Sequence, residues 1–273
     1  MLEKFKINGK VVVITGGAGL MGMQHAEAIA EIGGIPVLFD IDEERIKEKV
    51  SEIKRKYNVS CISFVGSITI EEDIIKLKTH LMETFGHIDI LINNAALNPK
   101  MELSGNIEFT RLENYSLDVW NKEISVGLSG AFLCSKVFGP VMAKQKSGVI
   151  INISSDLGII APDQRIYKKD GVEELEQPVK PISYSVIKHG IIGLTKYLAT
   201  YWAHEGVRSN ALCPGGIKQD QDSAFIQKLT NLIPLGRMAR PDEYKSAIQF
   251  LCSDASSYMN GSVLVIDGGR CTL

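Results

Sequence analysis

The chain contains 273 residues, of which 45% are hydrophobic and 23% are charged, and these are ordinary values for a globular protein. The 30 basic and 32 acidic residues give a net charge of −2, which removes the usual electrostatic reason to expect nucleic-acid binding. The five cysteines include no Cys-x-x-Cys pair, which argues against a disulfide framework or a metal site. No apolar run approaches the roughly 20 residues that span a bilayer, and the first ten residues are polar. We therefore expect a cytoplasmic protein without a membrane or nucleic-acid partner.

Short β-branched runs alternate with longer amphipathic stretches along the chain. Predicted strands lie at 11–14, 35–40, 61–65, 88–92, 149–153, 208–212 and 262–266. Predicted helices lie at 21–32, 43–57, 71–85, 117–144, 183–204 and 242–253. Continuous apolar strands that alternate with helices indicate a parallel sheet with helices on both faces. Because no linker interrupts the pattern, we predict one doubly wound α/β domain over 1–273 with a seven-stranded sheet.

Two long polar stretches, at 97–118 and 159–182, do not fit this rhythm. Each follows the carboxyl end of a predicted strand, which is where open α/β sheets bind ligands. Long loops inside a compact domain are usually functional or disordered. We therefore predict that both stretches form substrate loops.

A glycine-rich loop, Thr15 to Gly22, follows the first predicted strand and precedes a helix. Its glycines at 16, 19 and 22 allow a tight turn and a close approach to a pyrophosphate, and the helix beginning near Met21 presents free N–H groups. The loop predicts a dinucleotide site. Asp40 ends the second strand, where a carboxylate accepts hydrogen bonds from ribose hydroxyls and repels a 2′-phosphate. Since Ile41 rather than a basic residue follows, we predict NAD in preference to NADP.

Tyr184 and Lys188 lie four residues apart in a predicted helix and therefore share one face. A free phenol, with a pKa of about 10, is a poor base, but a neighbouring ammonium and an oxidised nicotinamide both favour the phenolate. Ser155 follows the fifth predicted strand, where its hydroxyl can hold a substrate oxygen. The three residues predict acid–base chemistry with Tyr184 as the proton carrier.

Together the Thr15–Gly22 loop, Asn93-Asn94-Ala95, Ser155, Tyr184-x-x-x-Lys188, Pro214-Gly215 and Asp267-Gly268-Gly269 resemble the short-chain dehydrogenase/reductase family over the whole chain. The resemblance implies a Rossmann fold, a nicotinamide cofactor, a homodimer or homotetramer, and Ser155, Tyr184 and Lys188 as the catalytic set. The expected cofactor contacts are Gly16, Gly19, Leu20, Met21, Gly22, Asp40, Ile41, Ser67, Ile68, Asn94, Ala95, Ala96, Tyr184, Lys188, Pro214, Gly215 and Ile217.

Four positions depart from the family pattern. The middle glycine of the loop is Gly19, one place earlier than usual, which is similar to the branch that modifies sugar nucleotides. Ala96 replaces a glycine, and Ser67 replaces an aspartate that touches adenine. Gly127 stands where the family places an asparagine whose backbone carbonyl holds a water linked to the lysine. Glycine retains that carbonyl and with it the proton relay, but it also loosens the helix. We therefore expect reduced but real activity, or a pocket that needs space at Gly127.

Tyr184 follows Ser155 by 29 residues, a longer spacing than is usual in the family, and the surplus is the insert at 159–182. This insert is similar to that of bacterial reductases grouped with flagellin modification protein A and surface-polysaccharide pathways. It implies a sugar or nucleotide-sugar substrate, with Arg165 or Lys168 meeting a phosphate. The expected substrate contacts are Ser155, Arg165, Tyr184 and Gly216.

Other functions stay open from the sequence alone. A 3-oxoacyl reductase or a small-polyol, gluconate-like dehydrogenase fits the same motifs. A dinucleotide-binding sensor or scaffold is the alternative outside catalysis, which Gly127 and Ser67 favour and the intact Ser155, Tyr184 and Lys188 disfavour.

Overall fold

The computed structural model describes residues 2–97 and 110–272. Seven parallel strands form one sheet in the order β3-β2-β1-β4-β5-β6-β7, which confirms the predicted doubly wound Rossmann-like architecture. The strands are β1 Val11–Thr15, β2 Ile35–Asp40, β3 Ile62–Val65, β4 Ile90–Asn93, β5 Gly148–Ile153, β6 Val207–Pro214 and β7 Val263–Ile266. That residues 1–273 form a single domain stays a prediction.

Eight α-helices accompany the sheet in the part of the chain that the structure describes. They are α1 Leu20–Glu31, α2 Glu43–Tyr57, α3 Glu71–Phe85, α4 Leu117–Ile124, α5 Gly130–Gln145, α6 Ile182–Tyr201, α7 Ser223–Thr230 and α8 Lys245–Cys252. The sequence did not predict α7, whose two turns begin where Asp222 accepts hydrogen bonds from the N–H groups of Ala224 and Phe225.

Three predicted helices differ from the observed ones. The helix predicted at 117–144 is interrupted by a π-helical turn at Ser125–Ser129. The helix predicted at 183–204 ends at Tyr201, since the chain then enters a 3₁₀ turn that closes at Gly206 with a φ of 73°. The helix predicted at 242–253 begins as a 3₁₀ turn at Pro241–Tyr244.

The core lies on both faces of the sheet. Along β1, Val12 and Ile14 pack into one apolar cluster, whereas Val11 and Val13 pack into the other. This alternation follows from the two-residue period of a strand. Both faces are buried, and for this reason β1 reads as a continuous apolar run.

The carboxyl ends of the central strands meet at one edge of the sheet. Asn93 pairs in register with Asn152, and its Nδ2 donates to the Asn152 Oδ1 at 2.8 Å. The Asn152 Nδ2 in turn donates to the Thr195 Oγ1 on α6 at 3.0 Å. These buried bonds fix β4, β5 and α6 relative to one another directly beneath the predicted site.

The segment Leu117–Gln145 is long and apolar enough to cross a membrane by length and composition alone. Its α5 portion packs against α3 and the sheet, and Cys134, Phe138 and Met142 are fully buried there. Core helices of globular proteins have the same character, so the segment is explained by packing.

The insert at 159–182 contains two short 3₁₀ turns, at Gln164–Tyr167 and Glu174–Glu176, and it ends where α6 begins. Of the stretch at 97–118, residues 98–109 lie outside the described residues. Arg111, in the described part of that stretch, donates to the Glu174 carbonyl at 3.2 Å, so the two predicted substrate loops touch.

Candidate active site

The glycine-rich loop forms a cradle between β1 and α1. Gly16 has a φ of +64°, and a Cβ at Gly22 would lie 2.2 Å from the Gly16 carbonyl oxygen, so the turn closes only with glycine at these positions. Gly19 is the N-cap residue of α1 and offers no side chain to the first-turn N–H groups of Leu20 and Met21. An uncapped helix N-terminus beneath a tight turn fits a pyrophosphate.

Asp40 braces this cradle from the end of β2. Its Oδ2 accepts from the Ala18 N–H at 3.0 Å, and its Oδ1 accepts from the Asp42 N–H at 3.2 Å. The carboxylate stays partly exposed beside the exposed Ile41. Asp42 caps α2 by accepting from the Arg45 N–H at 3.0 Å. The two aspartates therefore have separate roles, and Asp40 is the one at the cradle.

Asn94, Ala95 and Ala96 follow β4 as the opposite wall. The Asn94 Nδ2 donates to the Thr15 carbonyl at 2.9 Å and to the Gly16 carbonyl at 3.2 Å. The N–H groups of Asn94 and Ala95 both donate to the Thr15 Oγ1 at 3.0 Å. Asn94 therefore holds the glycine turn, while Ala96 is exposed at the rim.

Two further segments complete the predicted cofactor set. The Ser67 Oγ is 2.8 Å from the Thr69 Oγ1. Ile68 is buried in the same apolar cluster as Val11 and Val13 of β1. After β6, the Gly215 N–H donates to Ile266 and its carbonyl accepts from the Tyr244 hydroxyl, while Ile217 pairs with Ala239. The turn after Pro214 is thus held rigidly at the same sheet edge.

Ser155, Tyr184 and Lys188 come together because β5 and α6 are tied at this edge. The Lys188 Nζ donates to the Ile153 carbonyl at 2.9 Å, and the Ser154 Oγ donates to the Lys188 carbonyl at 2.7 Å. Ser155 begins the 3₁₀ turn that follows β5. The Lys188 Nζ lies 5.7 Å from the centroid of the Tyr184 ring.

The surroundings of Tyr184 in the protein do not by themselves lower its pKa, and the acidification expected from Lys188 and an oxidised nicotinamide together stays a prediction. Burial raises the pKa of Tyr184, and the neighbouring Ser155 hydroxyl only opposes that rise. Burial also lowers the pKa of Lys188 to about 8. The low-dielectric surroundings disfavour both charged forms, and they strengthen the effect of any further cation that enters the site.

A buried ion pair adjoins Ser155, and no sequence motif indicated it. The Ser155 Oγ donates to the Asp156 Oδ1 at 2.8 Å, and the Arg270 Nη1 donates to the Asp156 Oδ2 at 2.7 Å. Asp156 and Arg270 are 3% and 6% exposed. The sequence places a charged residue, Asp156, directly after β5 and before an apolar turn. No local pattern identifies Arg270 as its partner.

Lys180 was missed as well, because it looked like one charge among many in the polar insert. Its Nζ lies 3.9 Å from the centroid of the Tyr184 ring, closer than Lys188. A cation at this distance over an aromatic face is attracted by the ring. The site therefore contains two lysines at its tyrosine.

The position of Arg165 does not support its predicted role in substrate binding. Its Nε and Nη2 donate to the two carboxylate oxygens of Asp163 at 2.9 and 2.7 Å, and its side chain is 83% exposed. Lys168 is paired with Glu174 at 2.7 Å. Gly216 lies under Leu229 of α7 and Met238, where a Cβ would be 2.9 and 3.3 Å from their side chains. Within the described residues, no cluster of metal-ligating side chains occurs.

A dinucleotide cradle beside a serine, a tyrosine and two lysines defines a nicotinamide-dependent oxidoreductase. A family model described as enoyl-(acyl carrier protein) reductase matches residues 16–270. The chain belongs to the short-chain dehydrogenase/reductase family, whose members interconvert alcohols and carbonyl compounds with NAD(P).

Sequence relatives align with nearly the whole chain. An uncharacterized oxidoreductase of Thermotoga maritima is 35% identical over 271 residues, covering 96% of this chain and 97% of the relative. A 3-oxoacyl-[acyl-carrier-protein] reductase of Aquifex aeolicus is 33% identical over 270 residues, covering 97% and 99%.

Solved structures agree with this assignment. A gluconate 5-dehydrogenase from Burkholderia cenocepacia, in complex with NADP and tartrate, matches with a TM-score of 0.86 and 26% identity, covering 100% of this chain and 99% of its own. An NAD⁺-bound xylitol dehydrogenase matches with a TM-score of 0.84 and 26% identity, covering 97% and 100%.

Proposed function

We propose that the protein is an NAD(H)-dependent dehydrogenase that interconverts a secondary alcohol and a ketone on a hydroxyl-rich substrate, with Tyr184 as the acid–base residue. The observation that carries the proposal is the pair of bonds between β5 and α6, which joins the turn that contains Ser155 to the helix that contains Tyr184. A bound nicotinamide supplies the hydride exchange and, when oxidised, a positive charge.

Each residue has a distinct task in this proposal. Tyr184 donates or accepts the proton at its phenolic oxygen. Lys188, fixed by the Ile153 carbonyl, stabilises the phenolate electrostatically. Ser155 orients the oxygen of the substrate. The buried surroundings exclude water and so strengthen these interactions.

The proposed cofactor is NAD. Asp40 places a carboxylate at the end of β2, where a 2′-phosphate would meet a like charge. The related structures contain either NADP or NAD⁺ and therefore support both forms. We further propose that the protein acts in the cytoplasm as a homodimer or homotetramer.

The polar insert at 159–182, next to Tyr184, favours a polyhydroxylated substrate over an acyl chain. The names of the structural relatives, gluconate 5-dehydrogenase and xylitol dehydrogenase, support the same class. A nucleotide sugar in bacterial surface-glycan synthesis is the second candidate, and it is supported by the glycine spacing of the loop.

A substrate panel tests the proposal. The purified protein would be given alditols, aldonates, nucleotide sugars and a 3-oxoacyl thioester with each nicotinamide cofactor, and turnover would be followed by nicotinamide absorbance. We expect turnover of a polyhydroxylated compound with NAD(H). Turnover confined to the thioester would replace the proposed substrate class, and cofactor binding without any turnover would favour a sensor or scaffold.

A further inference from the structure

Lys180 is a cation held in a fixed position over Tyr184. Its N–H donates to the Gln164 Oε1 at 2.8 Å, and its carbonyl accepts from the Gln164 Nε2 at 3.4 Å. Pro178 and Pro181 flank it and restrict the backbone. The ammonium stands 3.9 Å from the centroid of the Tyr184 ring. The insert thus places a positive charge over the ring of Tyr184.

The described residues contain no carboxylate within ion-pair distance of Lys180. The two acidic groups that influence it, Asp156 and Glu123, have other partners. Asp156 is paired with Arg270 at 2.7 Å. Glu123 accepts hydrogen bonds from the hydroxyls of Tyr115 and Ser183. Among the residues that the structure describes, Lys180 therefore has no counterion at the mouth of the site.

Such a cation gains from a ligand that carries a negative charge. Burial lowers the pKa of Lys180 to about 8, against the opposing influence of Asp156 and Glu123. At neutral pH the ammonium is still charged but poorly solvated, so a bound anion would stabilise it.

We propose that Lys180 binds a carboxylate of the substrate, and that the substrate is a hydroxy acid whose reacting carbinol lies close to that carboxylate. This inference rests on the proposed function and names the substrate class of the same site. A carboxylate fits better than a phosphate because phosphate sites gather several donors. Of the other cations of the insert, Arg165 and Lys168 are already paired with Asp163 and Glu174, and Lys169 is exposed to solvent.

The test compares an acid with its neutral counterpart in matched variants. Oxidation of D-gluconate and of D-glucitol would be measured for the wild type, Lys180→Met, Lys180→Arg and Lys169→Met. Lys169 is an exposed lysine of the same insert and serves as the control. Lys180→Met removes a cation from the Tyr184 ring and should lower kcat for both substrates, whereas it should raise KM by about 10- to 100-fold for gluconate alone.

Two results keep the inference separate from the proposed function. Lys180→Arg should retain part of the preference for the acid, and Lys169→Met should retain all of it. Equal turnover of gluconate and glucitol by the wild type, or an equal effect on KM for both compounds in Lys180→Met, would overturn the inference and leave the proposed function standing.

If the wild type oxidises neither compound, equilibrium binding decides. Tartrate would be titrated into the NAD⁺ complex of each protein. We expect the wild type and Lys169→Met to bind tartrate equally well, and Lys180→Met to bind it at least 10-fold more weakly. Absence of binding, or equal binding to all variants, would contradict a carboxylate site at Lys180.

Discussion

The hydroxyl of Ser155 donates its hydrogen to the Oδ1 of Asp156 at 2.8 Å. In this arrangement the hydrogen of Ser155 points to Asp156, and Ser155 donates to the Tyr184 oxygen or to a substrate oxygen only when that bond is exchanged. It also accepts from the Leu157 N–H at 3.2 Å. Asp156, held by Arg270, thus sets the direction in which Ser155 presents its lone pairs.

We expect the Asp156–Arg270 ion pair to affect the free energy of unfolding. Arg270→Met leaves a buried carboxylate without its partner, and we expect the free energy of unfolding to fall by about 3–5 kcal/mol. The double variant Asp156→Leu, Arg270→Met buries no unpaired charge and should lose clearly less. Urea unfolding of the three proteins measures this. A double variant less stable than the single one would show that the pair itself, rather than the orphaned charge, dominates.

Tyr184→Phe removes the proton-carrying hydroxyl and keeps the ring. We expect kcat to fall by about 100-fold or more, because general acid–base catalysis contributes on this scale. The dissociation constant for NADH should change far less than kcat, because the aromatic ring is kept and Tyr184 is one of many expected cofactor contacts. Tyr197→Phe is the matched control, since Tyr197 lies on the same helix and is exposed. Equal kcat values for Tyr184→Phe and the wild type would refute the proposed mechanism.

Asp40 and Asp42 differ in what they contribute to cofactor choice. Asp40→Asn keeps an acceptor for the Ala18 N–H but removes the charge, so we expect the preference for NADH over NADPH to shrink on the order of 10-fold. Asp42→Asn preserves the cap of α2 and should leave the preference intact. Fluorescence titration with both cofactors measures the ratio, and tighter NADPH binding by the wild type would end the claim.

Gly127 is short of space, and this contradicts the expectation of a pocket at this position. A Cβ there would lie 2.8 Å from the Ile187 Cγ2 and 3.0 Å from its Cδ1. We expect Gly127→Ala and Gly127→Asn to lower the free energy of unfolding by about 1–3 kcal/mol through overpacking. Because Ile187 precedes Lys188, kcat should fall too. Ile187→Ala in the Gly127→Ala background should restore part of both, and an unperturbed Gly127→Asn variant would make the position inconsequential.

The burial of His25 leads us to expect that the free energy of unfolding falls in acid. His25 is fully buried, neither ring nitrogen makes a hydrogen bond of ordinary geometry, and burial lowers its pKa from 6.5 to about 4 against the influence of Asn94. The folded state therefore resists protonation. Its contribution of about 3 kcal/mol is fully present above pH 6.5 and is lost as the pH falls to about 4.

Removal of the His25 imidazole should weaken the dependence of the free energy of unfolding on pH in acid. His25→Leu is expected to show a smaller fall in the free energy of unfolding between pH 6.5 and 4 than the wild type. His204→Gln, at an exposed position, should follow the wild type. Denaturant unfolding across this range distinguishes them, and parallel curves for His25→Leu and the wild type would contradict the assignment.

The sheet and the glycine cradle were predictable because local patterns specify them. The central strands carry apolar runs, such as 11–14 and 149–151, and the loop of Gly16 and Gly22 lies between one strand and one helix. Asp156 and Arg270 are 114 residues apart, and only the packing of the whole sheet brings them together. The place of Lys180 over Tyr184 likewise depends on the path of an irregular insert. The π-helical turn at Ser125–Ser129, in which Gly127 lies close to Ile187 of α6, has no counterpart in a local sequence pattern.

The ion pair between Arg270 and Asp156 also has a consequence for the order of events during protein synthesis. Asp156 emerges from the ribosome long before Arg270, so its carboxylate stays unneutralised while β6 and β7 are being made. The turn that carries Ser155 reaches its final form only after residue 270 has been translated. A nascent chain stalled earlier would have the cofactor cradle but an unfinished catalytic turn.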